Sequence, residues 1–144
     1  MEEICDLHIH SAFSDGTMTP AQLIDLAQQL QVSAVALCDH NTVAGLPEFL
    51  DAARDSGVWA VPGIEFSTDY EGTELHILGL FIEPEYYAAV TDKVNWMLIQ
   101  KEQSNRDLVE ALKPAGILLD YDAICAGTPN GQVNRAVIAA EMVR

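Results

Sequence analysis

Residues 6–20 of the chain read DLHIHSAFSDGTMTP. The apolar-rich segment over 3–9 predicts a short buried strand, with His8 and His10 at its end. Side chains alternate along a strand with a period of two, so both imidazoles point to one face. Asp15-Gly16 marks a turn. Thr19-Pro20 then opens a helix, with Thr19 as N-cap and Pro20 at the first helical position. Leu23, Leu26, Ala27 and Leu30 form an apolar stripe along that helix at 3.6 spacing. His8, His10 and Asp15 therefore lie at the C-terminal end of a strand that leads into a helix. In α/β sheets and barrels, active sites gather at that end.

The pattern repeats further along the chain. SAVALC (33–38) predicts a second strand, and a second helix runs over about 44–56 and ends at Gly57. A third strand runs from Val58 to about Phe66. The order β-α-β-α-β implies parallel strands joined by helical crossovers. DYEGT (69–73) then reads as a hairpin loop and ELHILGLFI (74–82) as a fourth strand. The connection is too short for a crossover, so this pair is predicted antiparallel. Pro84 opens a long helix to about Lys113, with Val90, Val94, Met97, Leu98, Leu108, Val109 and Leu112 on its apolar side. Pro114-Ala115-Gly116 ends it. A short helix near 120–125, a GTPNG loop (127–131) and a helix from about Arg135 to Arg144 complete the reading.

All four histidines, His8, His10, His40 and His76, fall in the first 76 residues. Asp39-His40 follows the second strand, Glu65 ends the third, and His76 begins the fourth. A hairpin symmetric about Tyr70–Glu71 would set Glu65 and His76 face to face. Each strand thus delivers an imidazole or a carboxylate to one rim. That donor mixture suits Zn, Mn or Fe, and a carboxylate such as Glu65 can bridge two ions. A bound divalent ion acidifies its water, and two or more can clamp a phosphoryl oxygen.

Composition limits the alternatives. The chain has 144 residues, with 7 Lys+Arg against 22 Asp+Glu and a formal charge of −15. Half-apolar composition is enough for a packed core and unlike a disordered chain. So few basic residues argue against an electrostatic track for long nucleic acid, which needs Lys and Arg to replace phosphate counterions. They also argue against docking on an anionic membrane. No apolar run reaches the ~18 residues of a spanning helix. MEEICDLHIH lacks the basic start and apolar centre of a signal peptide. Cys5, Cys38 and Cys125 are widely spaced and odd in number, and read as reduced thiols of a cytoplasmic protein.

Taken in order, DLHIHSAFSDGTMTP, ALCDHNTVAGL and VPGIEFSTDYEGTELHILGLFI (residues 6–82 in all) carry HxH…SDG…DH…GxE…H. This series resembles the polymerase and histidinol phosphatase (PHP) family. The helix to Lys113, the following Ala115-Gly116-Ile117 and the segment Asn134–Ala139 resemble its small bacterial phosphoesterases. Those act on nucleoside 3′,5′-bisphosphates and short 5′-phosphorylated oligonucleotides. The resemblance implies an α/β fold, the N-terminal portion of a distorted (β/α)7 barrel. Residues 1–83 would be the barrel portion and 84–144 a helical insertion.

It further implies up to three divalent ions. His8, His10 and Glu65 would hold one, Glu65 and His76 would help hold a second, and Asp15 and His40 a third. Asp15, His40 and Glu65 would be the catalytic set, while Asp39 would orient a ligand or a loop. Arg135 lies where the family has a glycine-arginine-proline-histidine stretch, with Val137 in the histidine's place, and is a candidate phosphate contact. Arg106 and Lys101 are further substrate-binding candidates on the long helix. The family completes its rim from later strands, with a His-Pro and an Asp-x-His, and this chain has no histidine after His76. It therefore looks like an N-terminal half.

The expected function is metal-dependent hydrolysis of phosphate esters of nucleotides or short oligonucleotides. Two alternatives stay open. One is a non-catalytic metal- or nucleotide-binding fragment or subunit whose site needs a C-terminal half. The other is C–N hydrolysis in an amidohydrolase-like barrel, which shares the HxH opening. Open strand edges would favour self-association or pairing with such a half.

Overall fold

In a computed structural model that describes residues 4–71, 73–128 and 133–143, the chain alternates strands and helices and then turns helical. Four strands, β1 (Cys5–Ile9), β2 (Ala34–Leu37), β3 (Trp59–Tyr70) and β4 (Thr73–Leu80), form one sheet in the order β1-β2-β3-β4. β1, β2 and the start of β3 are parallel, while the rest of β3 pairs antiparallel with β4. The mixed sheet follows from connection length. The β1–β2 and β2–β3 links carry α1 (Pro20–Gln29) and α2 (Leu46–Ala53), whereas β3 and β4 are joined by a tight turn.

Thr19 caps α1 as expected. Its hydroxyl accepts from Gln22 N, and the Gln22 side chain accepts from Thr19 N, a reciprocal pair that satisfies two orphan amides. The buried stripe of α1 differs from the predicted one. Pro20, Ile24 and Ala27 are buried, while Leu26 and Leu30 face solvent. α1 packs against α2, whose own buried residues are Leu46 and Phe49. α2 is shorter than predicted: Pro47 sits in its first turn, and the chain leaves the helix after Ala53, before Gly57 at φ +77°.

β2 is buried along its length. β1, predicted as buried, is an exposed edge strand. An edge strand has a neighbour on only one side, and Ile4 and Leu7 remain open to solvent. β4, the other edge, leaves Leu75, Ile77 and Leu78 exposed.

β3 and β4 also run further than predicted, to Tyr70 and from Thr73, so most of the expected DYEGT loop is strand. Their register pairs Glu65 with Leu78 and Ser67 with His76. The hairpin is centred one residue later than Tyr70–Glu71, so Glu65 and His76 are not directly opposed. A one-residue shift of the centre moves the register by two, which preserves the face each side chain points to.

After Pro84–Tyr86, α3 (Tyr87–Leu112) ends in a short turn over Lys113–Ala115, with Gly116 at φ +83°. α4 (Tyr121–Gly127) and α5 (Arg135–Met142) follow, each capped by a side chain, Asp120 and Asn134 respectively. The predicted GTPNG loop lies, from residue 129 on, outside the described residues. The chain divides into two compact units, up to Val94 and from Asn95 onward. In the second, Val109, Tyr121, Ile124, Val133 and Ile138 form the core. No helix among the described residues is long and apolar enough to cross a membrane.

Candidate metal centre

β2 and β3 lay small side chains on one face of the sheet. Ala36, Cys38 and Val61 are buried there, with Leu80 packed against them. Gly63 belongs to this floor because a Cβ at that position would come within 2.9 Å of Cys38 Sγ and 3.0 Å of the Gly79 carbonyl. Burial, and after it the charges of Glu65, Asp39 and Asp6, push the Cys38 thiol up to about 11. Cys38 is in none of the groups of side chains that converge within cation reach.

Beyond this floor the chain is stitched around Glu65. Glu65 N donates to the Asp39 carbonyl at 3.2 Å, and Asn41 N donates to the Glu65 carbonyl at 2.9 Å. Asn41 adopts φ +51°, a left-handed conformation that asparagine tolerates, and its side chain accepts from Ser67 N at 3.1 Å. These bonds tie the β2–α2 turn to β3 and set His40 beside Glu65 in an isolated bridge.

Four imidazoles surround the Glu65 carboxylate. Oε2 lies 2.9 Å from His8 Nε2, 3.2 Å from His10 Nε2 and 3.3 Å from His40 Nδ1, and Oε1 lies 2.7 Å from His76 Nδ1. His8 Nε2 and His10 Nε2 are themselves 3.0 Å apart. Asp15 approaches the other side, with Oδ1 3.5 Å from His10 Nδ1 and Oδ2 3.6 Å from His40 Nε2. The Glu65 side chain is only 5% exposed, whereas His8 and His76 are about 40% open to solvent. Burial pushes the Glu65 carboxyl up. Hydrogen bonds from His8 and His76, with the charges of His40 and His8, outweigh that and hold it below the ordinary carboxylate value.

The donor set fits divalent cations. Three overlapping groups converge within cation reach: His8, His10 and Glu65; His10, Asp15 and His40; and His40, Glu65 and His76. In a tetrahedral shell with ~2.0–2.1 Å bonds, neighbouring ligand atoms stand ~3.3 Å apart. The triangle of His8 Nε2, His10 Nε2 and Glu65 Oε2, with sides of 2.9, 3.0 and 3.2 Å, is close to that. Buried Nδ1 atoms of His10 and His40 lack a well-aligned hydrogen-bond partner. Such orphans are costly unless something occupies the space between them.

Asp39 belongs to none of these groups. Its buried carboxylate accepts from Ser11 N at 2.7 Å, Ser11 Oγ at 2.6 Å and Ser14 Oγ at 2.6 Å. From sequence alone Ser11 has no assigned role, and Ser14 enters only as the serine of the SDG motif, although they are the polar residues between His10 and Asp15.

The three basic candidates lie in the second unit. Arg106 donates to Glu102 and Asp122 and stacks 4.6 Å from the centre of the Tyr121 ring. Arg135 is exposed at the first position of α5, and Lys101 is exposed on α3.

The chain is 35% identical over 139 residues to a 5′-3′ exoribonuclease of Haemophilus influenzae, covering 96% of this chain and 50% of that protein. It is 32% identical over 139 residues to a 3′,5′-nucleoside bisphosphate phosphatase of Chromobacterium violaceum, covering 96% of this chain and 48% of that one. The chain spans about half the length of these curated relatives.

Among solved structures, an amidohydrolase from Chromobacterium violaceum with bound sulfate and no metal superposes with a TM-score of 0.66 at 30% identity. The match covers 96% of this chain and 49% of that one. A protein described as a metal-dependent phosphoesterase, from Bifidobacterium adolescentis, matches with a TM-score of 0.66 at 27% identity, covering 99% of this chain and 50% of that one. The PHP domain model matches residues 6–140. With its HxH…SDG…DH…GxE…H series converged on one carboxylate, the chain belongs to the PHP domain family.

Proposed function

We propose that this chain carries the N-terminal part of the metal centre of a phosphoesterase acting on phosphate esters of nucleotides or short oligonucleotides. The observation that carries the reading is the Glu65 carboxylate, buried and shared by His8, His10, His40 and His76. His8, His10 and Glu65 would hold one ion, His40, Glu65 and His76 a second, and His10, Asp15 and His40 a third. Imidazole and carboxylate donors together suit Zn, Mn or Fe.

Bound ions supply Lewis acidity toward a phosphoryl oxygen and an acidified water. The chain's own residues do the rest. Glu65 offsets the positive charge of two ions, and its burial keeps its oxygens from bulk water. His8 and His76 leave the open side of the centre to a substrate. Asp15, His40 and Glu65 form the catalytic set. Arg135 is the phosphate-side contact in this reading, with Arg106 and Lys101 as weaker candidates. Residues 1–83 act as the barrel portion and 84–144 as a helical insertion. The relatives' names support a small phosphorylated substrate. A cytoplasmic setting fits the three free thiols. Exposed apolar side chains on both edge strands support self-association or pairing with a chain that completes the sheet.

The test is metal analysis of the purified chain, with phosphate release from adenosine 3′,5′-bisphosphate and a 5′-phosphorylated trinucleotide. Bound divalent ions and metal-dependent release are expected. Metal binding without release would favour a non-catalytic metal-holding subunit, and failure to bind any divalent ion would overturn both readings.

A further inference from the structure

Asp15 is the candidate ligand that packing holds least. Its side chain is 67% exposed, while those of the imidazoles it faces are less than a third exposed. Its direction must therefore come from its backbone, which is fixed by the loop that carries it. That loop is folded on Ser11: Ser14 N and Gly16 N both donate to the Ser11 carbonyl, at 3.1 and 2.9 Å. Phe13 N donates to Ser11 Oγ at 3.1 Å. Gly16 is required, because a Cβ there would collide with the His10 carbonyl.

The folded loop is anchored at one point, the Asp39 carboxylate. Its Oδ1 takes Ser11 N and Ser14 Oγ, and its Oδ2 takes Ser11 Oγ. Ser14 Oγ also stands 3.3 Å from Asp15 Oδ1. Meanwhile the Asp39 carbonyl holds Glu65 N, and the next residue is His40. One buried residue thus fixes the loop of Asp15, the strand of Glu65 and the start of the His40 turn. Both of its oxygens are occupied by neutral donors, so it serves as an anchor and not as a ligand. A carboxylate that accepts several such bonds is held rigidly, since bonds to a charged acceptor are shorter and stronger than neutral ones.

We propose that Ser11 and Ser14, acting through the Asp39 carboxylate, are positioning residues that hold Asp15 against His10 and His40 and so define one of the cation positions. The inference rests on the metal-dependent reading above. Loss of an outer hydrogen-bond partner typically costs a metal site roughly 10–100-fold in affinity, and here the loss should fall on a single class of ion.

The experiment is calorimetric titration of the metal-free chain with Mn²⁺, alongside the visible absorption of the Co²⁺-loaded chain, for the wild type, Ser14→Ala, Ser14→Thr, Ser11→Ala, Asp15→Ala and His8→Ala. Ser14→Ala should weaken, by roughly 10–100-fold, the same class of ion that Asp15→Ala removes. It should leave the class lost in His8→Ala at wild-type affinity. Ser14→Thr keeps the hydroxyl and should bind as the wild type does. Ser11 is fully buried; if its variant does not fold, Ser14→Ala, at a half-buried position, decides the matter.

The proposal is overturned if Ser14→Ala keeps the Asp15-dependent class at wild-type affinity, or if it weakens all classes alike, as general loosening would. A wild type that binds ions but shows no Asp15-dependent class also overturns it, with the metal reading intact. A wild type that binds no ion overturns the metal reading and this inference together.

Discussion

His76 stands two residues out of register with Glu65 and still touches it. Glu65 pairs with Leu78 across the hairpin, yet His76 Nδ1 lies 2.7 Å from Glu65 Oε1. Diagonal neighbours on one face of an antiparallel pair lie within reach of long side chains. The contact leaves Oε2 to the other three imidazoles, so one carboxylate serves two sides of the centre.

Glu65→Gln should therefore be the most damaging single change to metal binding. It keeps the shape and removes the buried charge that the four imidazoles share. Divalent-ion affinity should fall by at least about 100-fold, the upper end of losses caused by outer partners alone. Titration calorimetry on the metal-free protein measures this. Binding within a few-fold of wild type would show that Glu65 is not the shared ligand.

The same carboxylate makes the metal-free protein sensitive to acid. Its folded value lies below the ordinary 4.5, because hydrogen bonds from His8 and His76 and nearby positive charge outweigh the effect of burial. A depressed carboxyl stabilises the fold above its unfolded value, and that contribution disappears as pH falls through the folded value. Melting in the presence of chelator should show the wild type losing its advantage over Glu65→Gln as pH drops below about 4.5. A gap that stays constant from pH 6 to pH 3 would contradict this.

Cys38 should behave unlike Cys5. Cys5 is exposed, whereas Cys38 is buried with its thiol raised from 9.0 to about 11. Iodoacetamide at pH 8 should label Cys5 in the folded chain and Cys38 only after denaturation, as read by peptide mass mapping. A thiol raised in the folded state favours folding below its unfolded value. Stability should therefore decline as pH rises from 9.0 through about 11.

Arg106 and Arg135 should separate in assays. Arg106 is committed to Glu102, Asp122 and the Tyr121 ring, so Arg106→Ala should lower the melting temperature with metal affinity unchanged. In an active preparation Arg135→Ala should raise KM for a phosphorylated substrate by roughly tenfold, the scale of one charge-assisted hydrogen bond. An unchanged KM would remove Arg135 from the substrate side.

Self-association should depend on the sheet edges. Light scattering over a concentration series should show the wild type larger than a monomer, and Ile77→Lys on the exposed face of β4 should reduce that size. A monomeric wild type at every concentration would remove this expectation.

The β-α-β-α-β order was legible because connection lengths and caps are local. Thr19-Pro20 signals a helix start whatever surrounds it, and the tight turn between β3 and β4 forces an antiparallel pair. The stripe of α1 departs from its period for a nonlocal reason: Leu26 and Leu30 satisfy the helical period beside Ala27, but only Ala27 of these is buried, and Ile24 is buried in their place where α1 packs on α2. β1 read as buried because its composition is apolar, while burial depends on whether a neighbour lies on each side.

Strand parity and strand ends are properties of the chain itself, so the sequence could bring His8, His10, Asp39, His40, Glu65 and His76 to one rim, with Asp15 in the adjoining loop; the division of these into ligands and the orienting Asp39 came from the family resemblance. Which atoms meet could not be read from the sequence. That Oε2 of Glu65 faces three imidazoles and Oε1 one, that His10 stands between two ligand groups, and that Ser11 and Ser14 fasten the Asp15 loop to Asp39 all depend on distances between segments far apart in sequence. Those distances are set by sheet register and loop closure, which exist only once the strands have paired.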